Sequence, residues 1–460
     1  MEPLGGLFKS YDIRGIVGEQ IYPEICYQIG KAFASLMAEE DANLKKILIG
    51  HDMRPSADAL VPAFIEGVTS RGIDVAQLGL CSTDMLYFAS GFHNCPGAIF
   101  TASHNPSQYN GIKLCRAGAG PIGAESGLVN IQEKAMSEDS GPVLPKGNIY
   151  SLEILDDFVN HVLGFVDVKS LQPLNVVVDT ANGMGGLVVP AVFDRLPFRL
   201  DLIFGELDGT FPNHPADPLN SENLVDLQRE VQSSKADIGL AFDGDADRCV
   251  FIDEESNPVS AEKIGIIVAK GLITPDSNKV LAGVPCSMIL EKEIPKMGGE
   301  LIWIRVGDVF VCEELKKHDA AIAMEISAHF FAPGLTEFIF DDPLIFSLKL
   351  AEHVSNSDLT LADLSDEIPS YPYEELKFKC LDSIKFKVNE QLEKTFLDMG
   401  YKVETIDGVK IWLNGGWVLL RPSNTQPVIR MFVEAKDDSR LAAIKDEFKA
   451  HFDEAVRAVS

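Results

Sequence analysis

Three times along this 460-residue chain, three short apolar segments recur, and each time the third ends in a compact polar cluster. In the first copy, Ile47-Leu48-Ile49 reads as a buried strand. A helical stretch follows from about Ala57 to Arg71, then a strand from Ile73 to Leu78 and another from Ala98 to Phe100. That last strand runs into Thr101-Ala102-Ser103-His104. The second copy has strands at Val176 to Val178, Leu200 to Phe204 and Ile238 to Phe242, ending in Asp243-Gly244-Asp245-Ala246-Asp247-Arg248. The third has Val280 to Val284, Leu301 to Val306 and Ala320 to Met324, ending in Glu325-Ile326-Ser327. Strands alternating with helical stretches predict α/β units on mostly parallel sheets, because parallel neighbours need a crossover that a helix supplies. Ligands of such sheets bind beyond the carboxyl ends of the strands, where all three clusters fall.

The C-terminal part reads differently. Glu374 to Cys380, Trp417 to Leu420 and Val428 to Val433 are strand-like, and Glu390 to Met399 is helical. Val403 to Ile406 and Val409 to Leu413 flank Asp407-Gly408, a hairpin-turn signal. Leu441, Ile444, Phe448, Phe452 and Val456 form one face of a closing helix. Pro369-Ser370-Tyr371-Pro372 reads as the linker before this module. The expected division is 1–150, 151–256, 257–370 and 371–460: three similar mixed-sheet α/β domains and a smaller α+β domain.

Lysine plus arginine number 40 against 69 aspartates plus glutamates, a formal charge of −29. Nucleic-acid binding needs clustered cations, so that class of partner is not expected. An anionic substrate needs a site where local basic residues outweigh this field. The eight cysteines show no zinc spacing and no disulfide framework, which reads as reduced thiols. Met1 to Gly15 has no basic segment leading into an apolar run, so no signal peptide is expected. No apolar run approaches the ~18 residues a membrane span needs. A soluble, cytoplasmic protein is the expectation.

Asp243, Asp245 and Asp247 alternate with small residues, so their carboxylates can converge. Hard oxygen ligands without histidine or cysteine suit Mg²⁺ better than zinc. The spacing invites comparison with a calcium-binding EF-hand, but Arg248 stands where that loop needs glycine, and Cys249 to Ile252 reads as a strand. Ser103 directly follows an apolar strand yet lacks the glycines of a nucleophile elbow, so serine hydrolase chemistry is not indicated. Lys113 lies ten residues further on. Near the C-terminus, Arg421-Pro422-Ser423-Asn424-Thr425-Gln426-Pro427, with Arg430 beyond it, offers short polar side chains and free backbone N–H groups for a phosphate.

Together these segments resemble the α-D-phosphohexomutase family along essentially the whole chain. Tyr11-Asp12-Ile13-Arg14-Gly15 is similar to its N-terminal motif, and Gly50 to Ser56 to a GxDxRxS segment. Thr101 to Pro106 is similar to its phosphoserine loop, Asp243 to Arg248 to its metal loop, Glu325 to Ser327 to its sugar-binding loop, and Arg421 to Pro427 to its phosphate-binding loop. The resemblance implies four domains around a central cleft. It also implies a mutase that interconverts hexose 1-phosphate and 6-phosphate, of mannose or glucose, through a hexose 1,6-bisphosphate. Ser103 would carry the phosphate, and Mg²⁺ would be held by Ser103, Asp243, Asp245 and Asp247. Arg14, His104, Lys113 and Arg248 would act at the reacting end. Tyr11, Asp308, Glu325, Ser327, Arg421, Ser423, Asn424, Thr425 and Arg430 would hold the substrate. The sugar loop departs from the family's Gly-Glu-x-Ser-Gly-His in having Met324 and Ala328, Asp308 stands where some members place histidine, and Pro285 where some place lysine. A sugar-phosphate-binding protein that kept the fold and lost turnover is the competing reading.

Overall fold

The computed structural model describes residues 6–137, 144–333, 338–423 and 427–459. The first sheet places the Lys46–His51 strand between parallel neighbours Asp74–Leu80 and Gly97–Phe100. The second places Asn175–Asp179 between parallel Arg199–Ile203 and Ile238–Phe242. In the third, Lys279–Gly283 lies between parallel Glu300–Ile304 and Ile322–Met324. In each sheet the first strand of the repeat is central, and the third is followed by an antiparallel strand that pairs back onto it. Those returning strands are Tyr109–Arg116, Cys249–Ile252 and Phe330–Phe331. The polar clusters are therefore the turns between a third strand and its antiparallel partner. The topology repeats because the apolar pattern does: strands such as Ile238–Phe242 are buried at every residue, as strands covered by helices on both faces must be.

The turns share a backbone feature. Ser103, Ala246 and Ala328 have positive φ angles of 49°, 63° and 64°. Such values cost a non-glycine residue on the order of 1 kcal/mol or more, and persist only where the surroundings over-determine them. Ala328 adopts this conformation where the sugar-loop motif has glycine. Met324, the other departure, packs against Gly265, where an added Cβ would fall 2.3 Å from the Met324 sulfur.

One apolar core runs from Leu48 and Ile99 in the first sheet through Val178 and Phe242 to Ala282 and Phe346 in the third unit. The C-terminal module has its own core. Its antiparallel sheet is ordered Tyr373–Lys379, Val428–Ala435, Gly416–Pro422, Val409–Leu413, Val403–Glu404. Val418 and Leu420 face Phe396 and Phe448 from the two helices, Lys385–Asp398 and Asp438–Val459. Trp417 and Leu419, one residue out of step, point the other way and pack with Val284 of the third unit, as strand alternation requires. Fully burying a tryptophan removes up to about 250 Å² from water, on the order of 5 kcal/mol before entropy. Lys410, 2% exposed, completes this junction. Its ammonium donates to the Val284 carbonyl at 2.6 Å and lies 4.2–4.3 Å from the rings of Trp303, Trp412 and Trp417. Among the described residues no helix is long and apolar enough to cross a membrane. All eight cysteines are free and buried.

Candidate active site

Domain packing sets the serine turn against the aspartate turn. Ser103, 1% exposed, donates its hydroxyl to Asp243 Oδ2 at 2.6 Å and accepts from Arg248 Nη2 at 2.7 Å. The approach is close: a Cβ added to Gly244 would lie 2.5 Å from the Ser103 carbonyl oxygen, so only glycine fits there. The three aspartates are fully buried, and one oxygen from each lies within 4.8 Å of the others. Burial, then the charges of Asp247 and Asp245, push the Asp243 carboxyl well above the usual carboxylate range. For Asp247 the neighbouring cations, led by Lys113, outweigh burial and hold it low.

Lys113 comes from the strand that returns from the serine turn. It pairs with Asp247 and lies 3.4 Å from Asp245 Oδ2, and these carboxylates raise its pKa against the opposing effect of burial. Lys113 thus counters the aspartates' charge and makes no bond to Ser103. Arg248 Nη2 also donates to His104 Nδ1. With Nδ1 accepting, the imidazole proton sits on Nε2, and the adjacent Arg248 charge, with burial, drives the His104 pKa well below its usual value. Arg14 reaches the same turn through Asn105 Oδ1 at 2.8 Å and is paired with Asp12.

The other groups form a second network toward the C-terminal module. Glu325 accepts from the Gly307 amide at 2.7 Å and from the Ser327 hydroxyl at 3.1 Å. Gly307 has φ 128°, and an added Cβ would strike the Tyr11 ring at 2.5 Å. Asp308 opens the Asp308–His318 helix beside it, and burial pushes its carboxyl up to about 6 although Lys113 opposes this. The Tyr11 hydroxyl donates to the Val306 carbonyl at 2.8 Å and accepts from Arg421 Nη2 at 3.4 Å. Arg421 Nε is held at 2.7 Å by Asp407, which also accepts the Val306 amide at 3.1 Å. The Ser423 backbone is pinned by Lys385, which donates to its carbonyl at 2.5 Å. Arg430 lies directly across the strand pair from Arg421 but donates to Glu375 at 3.2 Å, outside this network. Asn424 and Thr425 lie outside the described residues.

Several contributors carried no role in the sequence reading. Arg54 is 1% exposed and uses all its guanidinium N–H groups around the serine turn. His329 bonds Asp341 at 2.7 Å. Burial opposes its charge, but Asp247 and the Asp341 bond outweigh this and push the imidazole up to about 9. Thr83 and Asp407 contact the site across long chain separations. Arg54 and His329 fall inside quoted motifs, so position was a usable signal for them; Thr83 had none, and Asp407 read only as a turn residue.

The triad accommodates a divalent cation on its own chemistry. Asp245 Oδ1 is buried without a hydrogen-bond partner, and Asp247 Oδ1 has only Arg248 Nε at 3.6 Å, too long for a hydrogen bond; buried anionic oxygens left so are costly unless a further cation meets them. The surrounding set of serine, carboxylates, guanidinium and ammonium groups suits phosphoryl transfer, where positioning and charge neutralisation dominate.

Family comparison agrees with this geometry. The chain matches the models of phosphoglucomutase/phosphomannomutase α/β/α domain I over residues 5–140, domain II over 156–256, domain III over 260–371, and the C-terminal domain over 375–451. It is 33% identical over 451 residues to a phosphomannomutase/phosphoglucomutase of Pseudomonas putida, covering 96% of this chain and 94% of that one. It is also 33% identical to a phosphomannomutase of Escherichia coli, covering 94% and 95%. A crystal structure of a phosphoglucomutase/phosphomannomutase family protein from Burkholderia thailandensis superposes with a TM-score of 0.88 at 28% identity, covering 99% and 98%. The chain belongs to the phosphoglucomutase/phosphomannomutase family, the α-D-phosphohexomutases. Its activity is that of a hexose-phosphate mutase.

Proposed function

We propose that the protein interconverts hexose 1-phosphate and 6-phosphate, of mannose or glucose, with Ser103 as the phosphate carrier. The supporting observation is the Ser103 hydroxyl, buried between Asp243 at 2.6 Å and Arg248 at 2.7 Å and beside the carboxylate triad. Asp243, Asp245 and Asp247, with the phosphate on Ser103, would hold Mg²⁺. When bound, Mg²⁺ supplies charge neutralisation at the transferring phosphoryl group. In the first half-reaction the Ser103 O–P bond breaks, the phosphorus bonds the oxygen of the sugar phosphate's free hydroxyl, and the hydroxyl's proton ends on the Ser103 oxygen, giving a 1,6-bisphosphate and free serine. After the sugar reverses, the other phosphate returns to Ser103. Arg248 offers the serine oxygen a positive partner as its O–P bond breaks. Arg421, set by Asp407, and Ser423 would grip the phosphate that is not transferring, while Glu325, Ser327 and Asp308 would face the sugar.

Four domains divided near residues 150, 256 and 370 are part of this proposal, supported by the four separate sheets. So is a cytoplasmic location, supported by the free, buried cysteines. The test is mass spectrometry of the intact protein. Hexose 1,6-bisphosphate should add one phosphate that maps to Ser103, and excess monophosphate should remove it. Ser103→Ala should take away both the label and turnover while sugar-phosphate binding persists. Label on another residue, or normal turnover by Ser103→Ala, refutes the mechanism.

A further inference from the structure

We infer that Thr83 positions Asp245 for the metal, so that one domain presents the serine and also sets the ligand geometry of its neighbour. Thr83 is the first residue of the Thr83–His93 helix, behind the N-cap Ser82, and both are fully buried. Its hydroxyl donates to Asp245 Oδ2 at 2.7 Å, across 162 residues of sequence. Its backbone N–H donates to the Asp245 carbonyl at 3.1 Å. One residue of the first domain thus holds both the side chain and the main chain of a single aspartate in the second.

The consequence is directional. With Oδ2 occupied by Thr83, and Lys113 Nζ 3.4 Å away, Asp245 Oδ1 is left buried without a hydrogen-bond partner, while Asp247 Oδ1 has Arg248 Nε at 3.6 Å. A carboxylate with one oxygen anchored cannot rotate the other out of the site. Threonine suits this task because its branched Cβ restricts χ1 and fixes the hydroxyl direction. The aspartate turn has no slack to compensate: Gly244 abuts the Ser103 carbonyl, and Ala246 is at φ 63°. Anchors of this kind behind metal ligands typically set affinity by 10–100-fold.

This inference rests on the triad binding a divalent cation, and its test separates the two. Full-length protein, freed of metal and of serine phosphate, is titrated with Mg²⁺ by calorimetry and with Mn²⁺ by electron paramagnetic resonance. Thr83→Val keeps the shape and removes the donor; it should weaken both ions by about 10–100-fold. Thr83→Ser keeps the hydroxyl and should stay within about threefold of wild type, since the anchoring bond survives. Turnover by Thr83→Val should recover as Mg²⁺ is raised. A tie that only holds the domains together would lower the melting temperature and leave these affinities unchanged. Should Thr83→Val not fold, Thr83→Ala removes the same donor without any risk of overpacking and gives the same reading. Wild-type affinity in a folded donor-less variant overturns this inference alone. Wild-type protein that binds neither ion overturns the metal assignment and this inference with it.

Discussion

Replacing Arg54 should unfasten the serine turn, and the structure gives the size of the effect. Arg54 Nε donates to Asp52 at 3.1 Å, Nη1 to the carbonyls of Pro106 and Tyr109 at 2.8 and 3.0 Å, and Nη2 to those of Ser103 and Asn105 at 2.8 and 2.6 Å. Guanidinium has five N–H donors, and all are spent here. Arg54→Lys keeps the charge but brings only three donors, so at least two acceptors lose their partner. At ~1.5 kcal/mol for a bond to a charged group, that is about 3 kcal/mol. Arg54→Met removes every bond and strands buried Asp52, whose carboxyl burial already pushes upward against Arg54's opposing charge. Breaking a buried pair in this way costs about 3–5 kcal/mol before the carbonyls are considered. At about 2.1 cal/mol/K per residue, a 460-residue chain loses roughly 1 °C per kcal/mol, so Arg54→Lys should melt about 3 °C lower, and Arg54→Met lower still. Hydrogen exchange should locate the loss in peptides covering 101–110, with turnover falling because the turn that presents the Ser103 hydroxyl is no longer held. Arg54→Lys melting within about 1 °C of wild type, with unchanged protection of those amides, would refute the reasoning.

Two further outcomes follow from the same geometry. Arg421→Ala should raise KM by at least about tenfold for both the 1-phosphate and the 6-phosphate if, as proposed, the one guanidinium serves both orientations; a loss confined to one isomer argues against a shared clamp. His161, against the rings of Phe88 and Phe165 at 4.5 and 4.9 Å with Nε2 buried and unpartnered, is held down to about 4 by burial. Between that value and its unfolded pKa of about 6.5, the unfolded chain binds a proton that the folded one refuses. Stability should therefore fall on acidification from pH 7 to pH 5, and His161→Leu should melt with a flatter pH dependence; parallel profiles for the two proteins would contradict this.

Much of the fold was legible because it is written in local order. An apolar run of β-branched residues, a helical stretch and a polar turn are properties of neighbours in sequence, and repetition of that pattern implied repetition of topology. The Asp243, Asp245, Asp247 triad and Ser103 were legible for the same reason, since each sits within a few residues of a strand end. What tertiary structure alone decided is where the hydrogen bonds go. Nothing in the sequence singles out Thr83 until domain docking places Asp245 against its hydroxyl. Asp407 reads as a turn residue, yet its carboxylate holds both Arg421 and the Val306 amide. Arg430 reads as a partner for phosphate beside Arg421, but the strand that pairs with its own supplies Glu375. His104 offers two nitrogens in sequence, and only the approach of Arg248 commits Nδ1 as the acceptor. Hydrophobic periodicity is set by a residue's own neighbours, whereas the partner of a buried donor is set by whichever chain segment packing brings within 3 Å.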